Sequence, residues 1–461
     1  MRTPFKFASE VAFLTEKDYK CMWLLLAYKG NEMTKDQYEK QYTKSLFKKR
    51  MHYAWAVCFS CALMFFCTCG LSCNVFGVYS PFIKADRGFT NAQISLISTF
   101  RSASQMIAIT LAGKYYRRLK LRSGMLIAGL TCAAGYVVYG LSRSFPVYLC
   151  GSMVVGFGYG LGGMVPIAMV LERWFYKDRT LAVSMASAAS GLATIGVPSL
   201  ITALIQKFGA SYAFLVEAGI MVVLVFLAFL IVRDNPSDKS IHAFGYEEQK
   251  AYERMTAAAP QPEKVPTIPK AGVLLVYLMI GLGCAFNSAG YGNLSMLGNT
   301  EGFSPEQVAI AISAEGTMLM AGKLIFGVMS EKITLYKTSL IYGTLGILST
   351  ASLCFIRISP VFFVAVSAVF GFSLTLLSVG AVAWTADWFP PKDCTEMARR
   401  FQLAYSIGSL INSVIPGIMA DRFGGSYVPF YAYAAVCHVI VMIILIYTYR
   451  SVRFTEGSKN A

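Results

Sequence analysis

Gly88-Phe89-Thr90-Asn91-Ala92-Gln93-Ile94 returns 214 positions later as Gly302-Phe303-Ser304-Pro305-Glu306-Gln307-Val308. Two further echoes keep almost the same offset. Trp174-Phe175 with Lys177-Asp178 returns as Trp388-Phe389 with Lys392-Asp393, and Gly209-Ala210-Ser211-Tyr212 as Gly424-Gly425-Ser426-Tyr427. Three matches at an offset of 214 to 215 mark an internal duplication. Each lies before or between apolar runs, so the duplicated unit is a set of hydrophobic segments.

Runs long enough to cross about 30 Å of hydrocarbon, roughly 20 residues each, fall at 53–80, 91–113, 124–142, 146–171, 180–205, 212–232, 271–293, 305–329, 338–356, 359–386, 397–420 and 427–449. Helix is the state to expect. Backbone groups in lipid must be satisfied within the segment, and barrel strands read as weak alternation. Residues 1–50 are charged throughout and carry one short apolar run, Met22–Ala27, without a signal-peptide pattern. They read as a cytoplasmic extension with an interfacial helix around Phe13–Tyr28. Residues 51–232 then form a first six-helix bundle and 233–270 a polar linker with five prolines (Pro236, Pro260, Pro262, Pro266, Pro269). Residues 271–450 form a second bundle and 451–461 a cytoplasmic tail.

Composition agrees. Of 461 residues 56% are hydrophobic and 14% charged, with mean hydropathy +0.53, whereas soluble domains carry about a quarter charged residues. Disorder, collagen and a soluble nucleic-acid binder are excluded. The excess of 41 Lys+Arg over 25 Asp+Glu, a net charge of +16, is a matter of topology. With the N-terminus inside, 33 basic residues fall in inner segments and 6 in outer ones. Both termini are therefore expected in the cytoplasm of a multi-pass cell-membrane protein. The two basic residues left over, Arg101 and Lys323, lie within spans.

Two six-helix halves running in the same direction are the parallel repeat of the major facilitator fold, an all-α membrane architecture of twelve transmembrane helices in two pseudo-symmetric halves. The loops resemble that superfamily too. Its loop after span 2 reads Gly-x-x-x-Asp-Arg-x-Gly-Arg-Arg/Lys. Here Gly113-Lys114-Tyr115-Tyr116-Arg117-Arg118 has Arg117 in place of the acid, and the second copy has Gly327 followed by Glu331-Lys332. The resemblance implies a gating role for Gly113, Arg118, Gly327, Glu331 and Lys332, locking the halves on the cytoplasmic side.

A narrower resemblance lies in Phe76-Gly77-Val78-Tyr79 leading into Gly88-Phe89-Thr90-x-x-Gln93-Ile94-Ser95, and in Trp174-Phe175-x-x-x-Arg179-x-Leu181-Ala182. Both are similar to the monocarboxylate transporter and oxalate:formate antiporter group, which implies transport of small carboxylates driven by protons or by exchange. In that group a span-8 base binds the substrate carboxylate, and Lys323, four residues before Gly327, stands at its place. The animal branch's span-1 Lys falls near Asn74, its span-8 Asp at Leu319, and the oxalate exchanger's second cation near Ile407 or Gly408. That proton relay and a two-cation dicarboxylate clamp are therefore absent as such, unless Arg101 substitutes.

Charges inside spans are expensive and mark function. The offset of 214 sets Glu315 opposite Arg101. Either the two pair across the pseudo-twofold, or Arg101 binds anion as a second cation while Glu315 carries the coupling proton. Asn74 and Tyr79 on span 1, and Asn287 and Tyr291 on span 7, complete the candidate substrate-binding set. Gly156-x-Gly158-x-Gly160-x-Gly162-Gly163 lies inside span 4 and reads as close helix packing. The twelve cysteines lie mostly in spans as small apolar residues, so neither a metal centre nor a disulfide framework is expected. Glu217 is a minor candidate, and His438 reads as a packed core residue.

The expected function is alternating-access transport of small organic anions, monocarboxylates above all, with protons or a counter-anion as the coupled species and the lipid bilayer as the surroundings. A monomer suffices, no cofactor or nucleic acid is implied, and no clustered nucleophile, base or metal set suggests an enzyme. The alternatives are an exporter of hydrophobic or cationic compounds and a transporter-derived receptor without flux.

Overall fold

The duplicated heptapeptide marks the start of a helix in each copy. In the computed structural model, which describes residues 52–176, 178–246 and 264–456, Gly88 and Gly302 take left-handed backbone conformations with φ of 66° and 88°. Two residues later a capping box opens the helix. Thr90 Oγ1 accepts from Gln93 N at 3.1 Å and Gln93 Oε1 from Thr90 N at 2.9 Å. Ser304 Oγ and Gln307 repeat the exchange at 3.3 and 3.0 Å. The conserved spacing is that of a reciprocal cap, which satisfies two backbone donors at a helix start.

Eleven helices among the described residues are long and apolar enough to cross a membrane. In chain order span 1 is Tyr53–Arg87, span 3 Leu121–Leu141, span 4 Phe145–Trp174, span 5 Leu181–Phe208, span 6 Ala210–Ile231 and span 7 Lys270–Gly290. Span 8 is Pro305–Ser330, span 9 Leu335–Ile358, span 10 Pro360–Thr385, span 11 Glu396–Arg422 and span 12 Val428–Ser451. Span 2, Asn91–Arg118, has the length but more polar residues. It is flanked by span 4 in its own half and by span 11 in the other, so much of its surface meets protein. The interfacial helix expected at Phe13–Tyr28 lies outside the described residues. Of residues 1–55 the structure describes 52–55, the start of span 1, where Trp55 N donates to His52 O at 3.0 Å.

The described residues from 56 onward form one body. Within it the packing partners obey the repeat. Span 4 packs on 2 and 3, and span 10 on 8 and 9; span 6 packs on 3, and span 12 on 9. Spans 1 and 5 pair as 7 and 11 do, and the halves meet through spans 2 and 11 and spans 5 and 8. The outer helices show their large apolar residues, such as Val223, Phe226 and Leu230 on span 6 and Val436 and Ile443 on span 12, as a lipid-facing surface does.

The two ends of the bundle differ. On the face away from residues 233–270, here the far face, hydrogen bonds join the halves. Asn91 and Ala92 of span 2 bond Asp421 of span 11, Thr99 Oγ1 lies 3.0 Å from Ser413 Oγ, Gln206 donates to Glu306, and Ser295 Oγ to Gly77 O. On the linker face, Gly113 and Gly327 border open space and Leu181, Leu324 and Val328 stand exposed. Hydrogen bonds across the halves among the described residues thus gather toward the far face. Pieces of the linker are themselves tied down. Phe244 exchanges backbone hydrogen bonds with the 174–176 loop, and Lys264–Thr267 pairs antiparallel with Arg453–Glu456.

Spans 1 and 7 carry an irregularity the sequence reading did not anticipate. Phe66–Val75 and Ala285–Gly290 are π-helical, a widened turn often found at functional sites. They occupy corresponding places in the two repeats and hold Asn74 and Asn287.

Candidate functional site

Asn74 and Asn287 lie in the corresponding π-helical segments of the two halves. Asn74 Nδ2 donates to Ser190 O of span 5 at 2.9 Å, and Asn287 Nδ2 to Leu374 O of span 10 at 2.6 Å. Each asparagine ties its widened helix to a neighbour in its own half. Tyr405 Oη of span 11 donates to Asn287 Oδ1 at 3.0 Å, and Ser288 and Ser409 lie 2.6 Å apart. Tyr159 of span 4 donates to Cys69 Sγ at 3.4 Å and sits in electrostatic reach of Tyr405 in the other half.

Lys323 comes to this group from span 8. Its side chain is half-buried and lies in electrostatic reach of Cys69 in the opposite half. Among the described residues its ammonium has no ion-pair or hydrogen-bond partner. A lysine ammonium is a compact point charge with three rotatable donors.

Glu315, two turns earlier on the same helix, is 1% exposed, and neither carboxyl oxygen has a hydrogen-bond partner. Tyr291, whose hydroxyl is likewise unpartnered, and Tyr431 are its electrostatic neighbours. A buried carboxyl without a donor is costly when ionised.

Arg101 and Glu315 do not pair. The Arg101 guanidinium donates to Ser72 O at 3.1 Å and lies 5.3 Å from the centroid of the Phe76 ring, both on span 1. Tyr79 is also turned from the cleft. It is fully buried, stacked on Phe214 at 3.8 Å, and donates to Glu217 at 2.6 Å. Of the six substrate candidates, Lys323 and Tyr291 lie in electrostatic reach of Cys69 in the other half, Asn74 and Asn287 are hydrogen-bonded within their own halves, and Arg101 and Tyr79 are held within the first half. Gly113, Arg118, Gly327 and Lys332 are exposed on the linker face, and the Glu331 side chain lies outside the described ones. His438 packs flat on Phe286, 3.7 Å between centroids, with Gly346 against its other side. Among the described residues no cluster of His, Cys, Asp and Glu could hold a metal ion.

Cys69, Tyr159, Ser190 and Tyr405 were not singled out from sequence. Tyr159 stood inside the glycine run Gly156–Gly163, which is what lets span 4 approach: a Cβ at Gly156 would meet the Arg101 carbonyl, and one at Gly160 would meet span 2 at Gln105 and Ala108.

The chain matches the Major Facilitator Superfamily over residues 59–297 and again over 273–461. It is 23% identical to the oxalate:formate antiporter of Oxalobacter formigenes, covering 65% of this chain and 70% of that one. It is 21% identical to monocarboxylate transporter 12 of Mus musculus, covering 61% of each. The crystal structure of a D-xylose-proton symporter superposes with a TM-score of 0.65 over 87% of this chain and 97% of its own, at 13% identity. Both repeats match one family and the whole bundle shares its fold. The chain is a multi-pass membrane protein that belongs to the Major Facilitator Superfamily.

Proposed function

We propose that the protein is a secondary transporter of small monocarboxylates, in which the six-helix halves 51–232 and 271–450 rock about the cleft to expose it to each side in turn. The observation that carries the reading is Lys323, a half-buried cation at membrane depth, unpartnered among the described residues and in electrostatic reach of Cys69 across the halves. Lys323 takes the carboxylate, Asn74, Asn287 and Tyr291 border it, and Glu315 carries the coupling proton. Arg101 is engaged by span 1, so among the described residues Lys323 is the one unpartnered cation at membrane depth, which favours a monoanion over a dicarboxylate. The printed likenesses to a monocarboxylate transporter and an oxalate:formate antiporter support the substrate class. The 33 to 6 distribution of basic residues supports a linker face and termini in the cytoplasm. One chain holds the whole cleft, so a monomer suffices.

Purified protein in liposomes, supplied with labelled formate, lactate, pyruvate and oxalate, tests this. One of the three monocarboxylates is expected to enter and oxalate to be excluded. Lys323→Ala is expected to lower uptake tenfold or more, given about 1.5–3 kcal/mol for a hydrogen bond to a charged group. Unchanged uptake in that variant would overturn the assignment. The second reading, export of hydrophobic cations, draws on the tyrosine lining and the unpartnered Glu315. It predicts that lipophilic cations, and not carboxylates, compete for the cleft.

A further inference from the structure

A π-helical turn leaves backbone carbonyls displaced from the regular ladder, and inside a membrane each must find a donor. In span 1 two consecutive carbonyls are taken by side chains from neighbouring helices. Tyr136 Oη of span 3 donates to Leu71 O at 3.0 Å, and Arg101 of span 2 donates to Ser72 O at 3.1 Å. The guanidinium is held over the buried Phe76 ring just beyond the widened segment, and Tyr136 is fixed edge-on between Tyr139 and Phe214, at 5.7 Å from each. The other half uses a related device: Tyr431 Oη of span 12 donates to Gly290 O, the last residue of the second π-helical segment, at 2.7 Å. What the brace holds in span 1 is the stretch bearing Cys69, Cys73 and Asn74, three half-buried side chains at the cleft.

We infer that Arg101, together with Tyr136, is a positioning residue that holds the π-helical turn of span 1 and so sets how Cys69, Cys73 and Asn74 line the cleft. This differs from a role in binding the substrate's charge. A charged donor on a carbonyl is about twice as strong as a neutral one, and the aromatic face beneath it offsets part of the cation's lost hydration. Glu315, its counterpart in the repeat, has neither partner, so the duplication preserved a position and not a role. The inference rests on reading the cleft as the transport path, and its test is made independent of any substrate.

The test is the rate at which N-ethylmaleimide labels Cys69 and Cys73 in purified protein, followed by mass spectrometry without substrate. Pyruvate uptake by liposomes is measured in parallel. Arg101→Met removes the donor and is expected to change both labelling rates about tenfold; Tyr136→Phe removes the neutral bond alone and is expected to change them about threefold in the same direction. Arg101→Lys keeps a charged donor and is expected to stay within about twofold of the parent. The inference is overturned if Arg101→Met or Tyr136→Phe leaves both rates unchanged, or if Arg101→Lys fails to restore them. Reduced pyruvate uptake in Arg101→Met with unchanged labelling would identify Arg101 as a charge that meets substrate. Should Arg101→Met not fold, Tyr136→Phe decides by its labelling rates alone. A parent protein that does not carry pyruvate counts against the proposed substrate and leaves the labelling result intact.

Discussion

Asp421, at the end of span 11, caps the start of span 2 in the other half through Asn91. Its carboxylate accepts from Asn91 N at 3.2 Å, from Asn91 Nδ2 at 2.8 Å and from Ala92 N at 2.9 Å. One acidic side chain from one half therefore satisfies two of the unpaired donors that a helix start in the other half exposes.

Removing that carboxylate should release the far face. Asp421→Ala is expected to cost the closed conformation about 1–2 kcal/mol, the usual worth of a cap with a charge at a helix N-terminus. The population open at the far face should rise about tenfold. A cysteine placed at Ser95, which is 2% exposed in the closed arrangement, should then be labelled faster by a membrane-impermeant reagent. Unchanged labelling would show that Asp421 does not hold the face shut.

Gly316 admits the close approach of span 5 to span 8: a Cβ there would overlap both the hydroxyl and the Cβ of Thr194. Gly316→Ala should hold the two helices apart and cut transport at least tenfold, by the strain of overpacking a tight contact. Thr194→Ala should not relieve it, because the Thr194 Cβ is itself in the way, whereas Thr194→Gly should. Equal rates in the two double variants would show that the overlap is not what limits transport.

Glu217 and Tyr79 form a buried pair whose members differ in tolerance. Tyr79→Phe leaves the Glu217 carboxyl without its donor and is expected to cost about 1–2 kcal/mol, the penalty of an unsatisfied buried group. Glu217→Gln keeps an acceptor for the Tyr79 hydroxyl and should change stability by less than half as much. Thermal unfolding in detergent compares the two, and an equal loss would argue against a hydrogen bond as the stabilising contact.

Glu315→Gln separates coupling from binding. With Lys323 intact, exchange of labelled for unlabelled monocarboxylate should continue at near the parent rate. Uptake against a gradient driven by an imposed proton difference should fall to equilibrium, since an amide carries no titratable proton. Accumulation that persists would move the coupling group elsewhere.

The duplication, the helical state and the order of the spans were legible in the chain, because each depends on local pattern: apolar length, helix starts and the placement of Lys and Arg. The heptapeptide at Gly88 recurred at Gly302 because each copy must turn through a left-handed glycine and cap a helix, needs met within a few residues. Lys323 and Glu315 were legible as well, since a charge within an apolar run stands out in any reading. What the chain alone left open was whom those charges face. Arg101 and Glu315 occupy equivalent positions, yet one lies on a carbonyl of span 1 and the other has no partner. That difference arises from the π-helical turn at Phe66–Val75 and from tyrosines on other helices. Both are set by packing between segments far apart in sequence, a relation that no local pattern encodes.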